Sequence, residues 1–487
     1  MKNIKKLTLL HSNDLHGDFL PESIDGIEVG GLSLLSGYLN KIRNEEENVV
    51  YAIAGDMFRG SVIDSEFKGI STIEMMNVLA PDVVTVGNHE IDYGISHLLF
   101  IKKCAKFPII NANLYIKPTG DRLFSPYRIL HIDGMKILVI GLVTEDVLAQ
   151  AKQDAIVGSF IGTKEAAEQI GKICNTYNSI DIDFTVILTH IGIEEDKRLA
   201  ELLDPAWGVD IIIGGHSHTF MEQPLFVNGI VIAHAGSGTD NLGRFDINID
   251  TDNNCIDSFK WEFVNINEKS CEPDPKMQEI ILRYKEHTDE KYGRLITTFS
   301  RHLTHPRRNT ETELGNLFAD VFESCTGLDV MLLGSGSIRL EGLGPVVTYK
   351  DLCEVFPYDD ELYMVKVNGK TLRHMLTYML RDEAFLDHTE FYQVSKNLKL
   401  TYSRSGKKLT ELKFKGREIA DDEVVSLGLQ TFHFSNMDDF FDVSREHLSE
   451  IEKPRMISTS CMDILDEYLS SNSKNEARVE KRIEITD

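Results

Sequence analysis

The chain lacks the features of membrane-spanning and disulfide-stapled proteins. No stretch approaches the roughly 18 consecutive apolar residues that a membrane-spanning helix needs, and there is no low-complexity tract. The seven cysteines are scattered and never form a C-x-x-C pair, which argues against a disulfide framework and a thiolate zinc site. These absences predict a protein of the reducing cytoplasm that has no membrane partner.

Positive charge is scarce as well. The 51 lysines and arginines are outnumbered by 77 aspartates and glutamates, which gives a formal net charge of −26. Such a charge repels a polyanion, so we expect no nucleic-acid polymer as a partner. A small phosphorylated substrate is still compatible with this charge if local cations offset it. The oligomeric state is not indicated by the composition.

Apolar runs recur through the first 265 residues, with helical patterns between several of them. They are LTLL, VVYAIA, VVTV, ILVIGLV, FTVILT, DIIIGG and IVIAHA. This alternation indicates β and α units that build packed sheets. The N-terminus carries too few apolar residues for a signal peptide, and residues 7–10 are expected to be a first strand.

The length of 487 residues exceeds one typical core, so we expect two domains. Residues 1–265 form the first domain in this interpretation, and 301–470 form the second. Between them, 266–300 is predicted to be a linker with an amphipathic helix, because apolar residues recur there at helical spacing after a proline-marked start. Residues 471–487 are expected to be a polar, peripheral tail.

Residues of the metal-ligand type follow five of the predicted strands. They are Asp14, His16, Asp56, Asn88, His190, His216 and His218. In open α/β sheets, ligands bind beyond the carboxyl ends of strands, so we expect these side chains to meet at one rim. His234 follows another strand and is expected near that rim.

The composition of this set indicates the kind of metal. Asp, His and Asn without Cys suit Mn, Zn, Co or Fe. Two carboxylates and several imidazoles exceed what one four-coordinate ion uses, so we predict two divalent ions, roughly 3.5 to 4 Å apart, with one shared carboxylate. Asp56, a lone carboxylate on a tight Gly turn, is the best bridging candidate.

The same residues resemble the motif series of the calcineurin-like metallophosphoesterases, and HSNDLHG, GDMFRGS and GNHEIDYG resemble the branch that contains 5'-nucleotidases. The resemblance implies an α/β fold in which layers of helices pack on layers of sheet. Its N-terminal domain would be a four-layer αββα sandwich, joined by a linking helix to a C-terminal α/β domain of the 5'-nucleotidase type. By the same resemblance, one ion would be held by Asp14, His16, Asp56 and His218. The other would be held by Asp56, Asn88, His190 and His216.

His89 is assigned a catalytic role by this resemblance. It would stabilise the charge that develops on phosphate or protonate the leaving oxygen, and Asp92 would orient it. The spacing of three residues supports this pairing, because i and i+3 lie together in a first helical turn. For Glu90 we expect only a helix-start carboxylate that the helix dipole favours.

The second domain resembles the 5'-nucleotidase C-terminal domain in three segments, which include RNTETELGNL and GSGSIR. The resemblance implies that Arg308 and Arg339 contact phosphate or ribose, that Tyr358 and Phe432 sandwich the base, and that Asp438 contacts the ribose hydroxyls. The chain departs from the family at Gly334, where an Asn is usual, and at 436–439, where the family is glycine-rich. An Asn amide could hydrogen-bond to the edge of a base, whereas a stacking side chain contacts only the face of the ring. With Gly334 in place of Asn, we predict weak discrimination between purines and pyrimidines.

The function predicted from these residues is metal-dependent hydrolysis of phosphate esters. The substrates would be small molecules, above all 5'-nucleotides cleaved to nucleosides and phosphate. Two alternatives use the same machinery, a 2',3'-cyclic nucleotide phosphodiesterase and a nucleotide-sugar diphosphatase. A further alternative is a nucleotide-binding sensor without turnover, which would have little need of His89 and Asp92.

Overall fold

The computed structural model of the chain describes residues 2–116, 119–144, 162–177, 181–386, 389–472 and 475–487. The chain folds into two compact units, Met1–Thr288 and Asp289–Asp487. Each unit has its own buried apolar core.

Alternating strands and helices build the N-terminal unit, as the apolar runs predicted. Its described strands are β1 (Ile4–Ser12), β2 (Glu22–Ile24), β3 (Ile27–Val29), β4 (Val49–Ala54), β5 (Val83–Thr85), β6 (Ile109–Ile110), β7 (Tyr127–Ile132), β8 (Met135–Val143), β9 (Phe184–His190), β10 (Ile211–Ile213), β11 (Leu225–Val227), β12 (Ile230–Ala233), β13 (Asn241–Asp250) and β14 (Cys255–Asn265). Its described α-helices are α1 (Leu32–Glu45), α2 (Val62–Glu66), α3 (Ile70–Leu79), α4 (Ile95–Cys104), α5 (Thr163–Tyr177), α6 (Ile193–Leu202) and α7 (Pro275–Tyr292). A short 3₁₀-helix covers His89–Ile91.

Two six-stranded sheets form the centre of this unit, in the orders β14-β13-β1-β4-β5-β6 and β11-β12-β10-β9-β8-β7. Apolar residues of the facing strands, such as Leu9 and Val186, pack together between the sheets. Helices α1, α3 and α4 cover the first sheet, and α5 and α6 cover the second. The predicted four-layer αββα sandwich is confirmed.

The direction of the strands places the polar residues that follow them. Strands β1, β4, β5 and β6 run parallel in the first sheet, and β8, β9, β10 and β12 run parallel in the second. Parallel neighbours end at the same edge, so the segments after β1, β4, β5, β9 and β10 can converge.

The predicted amphipathic helix is α7, and its residues up to Thr288 belong to the N-terminal unit. Met277, Ile280 and Ile281 are buried in the core beneath the first sheet. The Asp274 carboxylate accepts a hydrogen bond from the backbone N–H of Lys276 at 2.9 Å, which satisfies an otherwise unpaired donor of the first turn. Residues 266–288 are therefore part of the N-terminal unit rather than of a free linker.

The C-terminal unit is a smaller α/β body. Its described strands are β15 (Leu295–Thr298), β16 (Leu303–Thr304), β17 (Val330–Gly334), β18 (Gly342–Leu343), β19 (Val346–Thr348), β20 (Leu362–Asn368), β21 (Tyr392–Val394), β22 (Leu398–Ser403), β23 (Lys408–Phe414), β24 (Arg417–Glu418), β25 (Val424–Gln430), β26 (Arg455–Ser458) and β27 (Ile483–Thr486). Its helices are α8 (Glu313–Thr326), α9 (Tyr349–Val355), α10 (Gly369–Met379), α11 (Asp382–Phe385), α12 (Thr431–Ser435), α13 (Met437–Phe441), α14 (Arg445–Leu448) and α15 (Cys461–Ser471). A five-stranded sheet has the order β21-β17-β25-β20-β26, and a four-stranded sheet has the order β24-β23-β22-β27.

The expectation of a peripheral tail at 471–487 is wrong, because the chain end is built into the C-terminal unit. β27 pairs in parallel with β22. The Arg482 side chain is only 3% exposed, and its guanidinium lies 2.6 Å from the Asp320 carboxylate. Polar composition suggested a solvated tail, but a partly buried ion pair and backbone pairing satisfy these groups inside the fold.

All seven cysteines are free. None of the helices in the described ranges has the length and apolar character needed to cross a membrane.

Candidate active site

The residues after the five strands meet in one cluster. Nε2 of His16 lies 3.0 Å from Nε2 of His218, and Nε2 of His218 lies 3.4 Å from Oδ1 of Asp14. These three side chains offer ligand atoms that all lie within 4.8 Å of one another. They are drawn from segments about 200 residues apart in the chain, and they match three of the four ligands predicted for one ion.

A second group of side chains adjoins the first. Nε2 of His190 lies 3.0 Å from Oδ2 of Asp56 and 3.1 Å from Oδ1 of Asn88. Nδ1 of His216 lies 2.8 Å from the same Asn88 oxygen. The two groups are adjacent. Nε2 of His190 lies 3.9 Å from Oδ1 of Asp14, and Nε2 of His16 lies 3.9 Å from Oδ2 of Asp56. The structure thus brings together all seven predicted ligands.

Backbone conformation is unusual at these positions. Five of the seven residues have positive φ angles between 49° and 80°: Asp14, His16, Asp56, His216 and His218. Each such residue costs on the order of 1–3 kcal/mol, and such strain persists where the surrounding structure enforces it, most often at functional sites. The neighbouring Gly87 is also constrained, because a Cβ there would lie 2.2 Å from Oδ1 of Asp56.

Backbone carbonyls fix the orientation of two imidazoles. Nδ1 of His190 lies 2.8 Å from the Ala54 carbonyl oxygen, and Nδ1 of His16 lies 3.0 Å from that of Arg59. A ring whose Nδ1–H donates to a carbonyl presents an unprotonated Nε2, which is the form that binds a metal ion. Two buried carboxylates and an amide oxygen face these nitrogens, so the donors fit divalent cations that accept oxygen and nitrogen ligands.

His89 lies beside this cluster and is held by Asp92. Nδ1 of His89 lies 2.7 Å from Oδ2 of Asp92, as the spacing predicted, and the His89 and His16 ring centroids are 5.3 Å apart. The hydrogen bond with Asp92 raises the pKa of the His89 imidazole above its ordinary value. Nε of Arg59 lies 2.9 Å from the same Asp92 oxygen, a contact that sequence reasoning missed.

Glu90 has a different role from the one expected. Its side chain is buried, and its carboxylate accepts hydrogen bonds from the backbone N–H groups of Asp56 at 3.0 Å and Met57 at 2.7 Å. It also accepts one from Gly87. One carboxylate therefore clamps the loop that carries Asp56 to the loop that carries Asn88. The sequence did contain a signal for this role, because Glu90 is an acidic residue that directly follows the candidate site residues Asn88 and His89.

Glu90→Gln should destabilise this clamp. A glutamine amide has one acceptor oxygen and would turn an NH₂ group toward backbone donors, and each buried donor left unpaired costs about 1–3 kcal/mol. We expect the free energy of unfolding of the metal-stripped chain to fall by about 3 kcal/mol or more, and the bound metal to decrease. Denaturant unfolding measures the first effect, with the exposed Glu47→Gln as the matched control. Equal stability of both variants would contradict the clamp.

Asn13 is a second supporting residue that the sequence did not single out. Its Nδ2 donates to Oδ2 of Asp14 at 2.6 Å, and its Oδ1 accepts from the backbone N–H of Ala235 at 2.8 Å. His234, expected near the rim, is fully buried with Nε2 2.7 Å from Asp196. His234 is outside the groups of ligand atoms that the described residues form.

The predicted substrate residues all lie in the C-terminal unit. Arg308 and Arg339 line a cavity of ≈ 550 Å³. The Arg339 guanidinium lies 5.7 Å from the centroid of the Tyr358 ring, which is 45% exposed. Phe432, which is 56% exposed, and Asp438 lie on the consecutive short helices α12 and α13. The structure thus brings the arginines and Tyr358 together and leaves the Phe432 ring open to solvent.

Two family models match the chain. The model for the calcineurin-like phosphoesterases matches residues 7–220, and the model for the 5'-nucleotidase C-terminal domain matches residues 291–443. The first range contains every predicted metal ligand, and the second contains all five predicted substrate residues.

Curated relatives and solved structures agree with these matches. The 5'-nucleotidase of Vibrio cholerae is 26% identical over 525 residues, which cover 96% of this chain and 91% of that protein. Endonuclease YhcR of Bacillus subtilis is 26% identical over 460 residues, which cover 88% of this chain but only 37% of that protein. The crystal structure of a 5'-nucleotidase precursor from Thermus thermophilus covers 99% of this chain with a TM-score of 0.61 at 23% identity, a likeness of fold.

Proposed function

The chain belongs to the family that joins a calcineurin-like phosphoesterase domain to a 5'-nucleotidase C-terminal domain, and we propose that it hydrolyses 5'-nucleotides to nucleosides and phosphate. A metal-dependent phosphoesterase is the general class of enzyme. The nucleotide proposal is supported by the presence of two features in one chain. The N-terminal unit has the cluster of candidate ligands, and the C-terminal unit has two arginines and exposed aromatic rings.

Seven residues would hold two divalent ions in this proposal. When bound, such ions supply Lewis acidity at the phosphoryl oxygens and lower the pKa of a coordinated water. Asp14 and Asp56 would supply the negative charge that retains the ions, and Asp56 lies between the two groups of ligands. The donor types, Asp, His and Asn without Cys, favour Mn, Zn, Co or Fe.

His89 would act on the substrate rather than on an ion. Because the Asp92 carboxylate accepts the Nδ1–H and raises the pKa of the imidazole, the protonated ring would carry a second N–H at Nε2, which could donate to a phosphoryl oxygen or to the leaving oxygen of the ester. Arg59, bound to the same Asp92 carboxylate, would keep that carboxylate in place. The negative charge on the phosphoryl oxygens or the leaving oxygen would then be met by a positioned donor on this chain.

One assay tests the proposed function. Phosphate release would be measured across 5'-nucleotides, 2',3'-cyclic nucleotides, nucleotide sugars and p-nitrophenyl phosphate, with Mn, Co, Zn and Mg each added to metal-stripped protein. The proposal requires the highest kcat/KM on a 5'-nucleotide. Preference for a cyclic nucleotide or a nucleotide sugar would support one of the two alternatives instead, and binding without turnover would support the sensor.

The exposed aromatic rings provide a second test. If Tyr358 and Phe432 stack on the base, changing both to Ala should remove about 1–3 kcal/mol of binding per ring, and KM for nucleotides should rise accordingly. p-Nitrophenyl phosphate has no base and should be affected less. Phe226→Ala, at a ring that is 65% exposed in the N-terminal unit, is the control. Equal losses on nucleotides and on the generic ester would mean that these rings only support the fold.

We also propose a small-molecule partner and a cytoplasmic location for this protein. A small nucleotide is the expected partner, and the net charge of −26 argues against a nucleic-acid polymer. The seven free cysteines support a reducing cytoplasm.

A further inference from the structure

Position 334 is occupied by a glycine because the imidazole of His433 fills the adjacent space. A Cβ added at Gly334 would lie 2.2 Å from Nε2 of His433 and 2.6 Å from its Cε1. Both distances are far below van der Waals contact, so a side chain at 334 and the imidazole at 433 exclude each other. Gly334 ends β17, and His433 lies on α12 directly after β25, the parallel neighbour of β17.

The protonation of His433 follows from its contact with Tyr392. The two side chains are buried, and the Tyr392 hydroxyl lies 2.9 Å from Nδ1 of His433. Burial raises the pKa of Tyr392 well above its ordinary value and lowers that of His433 to about 4, so both groups are neutral near pH 7. The described residues offer the Tyr392 O–H no other acceptor, and a buried hydroxyl needs one. The hydroxyl therefore donates to Nδ1, and the proton of the imidazole is on Nε2.

This Nε2–H is available to a ligand. Within the part of the chain that the structure describes, it has no hydrogen-bond partner, and it is not among the fully enclosed polar atoms that lack one. An acceptor atom on a ligand would therefore complete its hydrogen bonding. The imidazole centroid lies 5.4 Å from the centroid of the exposed Phe432 ring, and the two planes are inclined at 80°. A flat ring stacked on Phe432 would have its edge close to an imidazole that stands nearly perpendicular to Phe432.

We propose that the Nε2–H of His433 donates a hydrogen bond to an acceptor atom on the edge of the substrate's heterocycle. This inference rests on the proposed function and narrows its substrate class to nucleotides whose base presents a ring nitrogen or carbonyl oxygen at that edge. The amide that the resembling family carries at position 334 is absent, and a donor from position 433 occupies the same space. Base recognition is then moved to another residue rather than lost.

A set of substrate analogues tests this contact on the unmodified protein. AMP would be compared with its 1-deaza, 3-deaza and 7-deaza analogues, in each of which one ring nitrogen is replaced by C–H. The protein would be loaded with the ion that gives the highest activity. We expect one analogue to show a KM about tenfold above that of AMP, the size of one lost hydrogen bond, and the other two to behave like AMP.

A variant assigns that hydrogen bond to His433. In His433→Leu, the KM for AMP should rise to that of the affected analogue, and replacing the ring nitrogen should then have no further effect. His447→Leu, at an exposed histidine of α14 in the same unit, is the matched control and should retain the tenfold difference between AMP and that analogue. Persistence of the full difference in His433→Leu would overturn the inference.

The exclusion between positions 334 and 433 gives a readout that does not depend on activity. Gly334→Ala should lower the melting temperature of the wild-type chain, and the same change should cost much less in a His433→Ala background, where the space is vacant. Equal costs in both backgrounds would overturn the inference, because the imidazole would then not occupy that space.

The outcomes separate the inference from the proposed function. Hydrolysis of AMP with the same KM as all three analogues would overturn the inference and leave the proposed function intact. Hydrolysis of p-nitrophenyl phosphate without hydrolysis of any nucleotide would overturn the proposed function, and the inference with it.

Discussion

Asp56→Asn is expected to abolish turnover on every substrate. Oδ2 of Asp56 lies 3.0 Å from Nε2 of His190, and Oδ1 accepts the backbone N–H of His89 at 2.9 Å. The substitution keeps the shape of the side chain but removes one of the two buried carboxylates that would retain the ions. Loss of a residue that merely supports a metal ligand costs about 10- to 100-fold, so loss of the shared ligand itself should exceed that range.

Phosphate release and bound metal, measured by elemental analysis, would check this result. Asp133→Asn is the matched control, because Asp133 is largely exposed in the turn between β7 and β8 and lies outside the ligand cluster that the described residues form. Near-normal activity with unchanged metal content in Asp56→Asn would show that the two-metal interpretation is wrong.

His89→Asn is expected to lower kcat by roughly 100-fold to 10,000-fold, the usual size of a lost general acid or charge stabiliser. The reason is positional, because Asp92 holds Nδ1 of His89 and leaves Nε2 to act on the substrate. Metal content should be unchanged, since the seven other side chains would supply the ligands of both groups. Steady-state kinetics together with elemental analysis separate the two effects.

Asp92→Asn provides the comparison for His89. This variant keeps the imidazole but weakens the hydrogen bond that raises its pKa and fixes its orientation, so it should lose less activity than His89→Asn. Loss of one metal ion in His89→Asn would instead place His89 among the ligands, as its distance from Asp56 and His16 permits.

The ligand cluster could be predicted from the sequence because each ligand directly follows an apolar run. Strand ends are local features, and the parallel arrangement of successive strands brings them to one edge. The arrangement around them could not be predicted in this way. Glu90 bonds to backbone atoms more than 30 residues away, and Asn13 bonds to a loop more than 220 residues away. A pattern in the sequence contains no information about such partners.

The sequence by itself determined the α/β class, the amphipathic helix and the candidate metal-ligand side chains, because periodicity and strand-end chemistry are read along the chain, and the family resemblance added the four-layer sandwich. The tertiary structure alone decided what depends on contacts between distant segments. Pairing of β27 with β22 made the polar chain end part of a sheet, and the N-terminal unit took up residues 266–288 of the predicted linker. The space beside Gly334 was likewise filled by an imidazole 99 residues later in the chain, because packing excludes two groups from one volume.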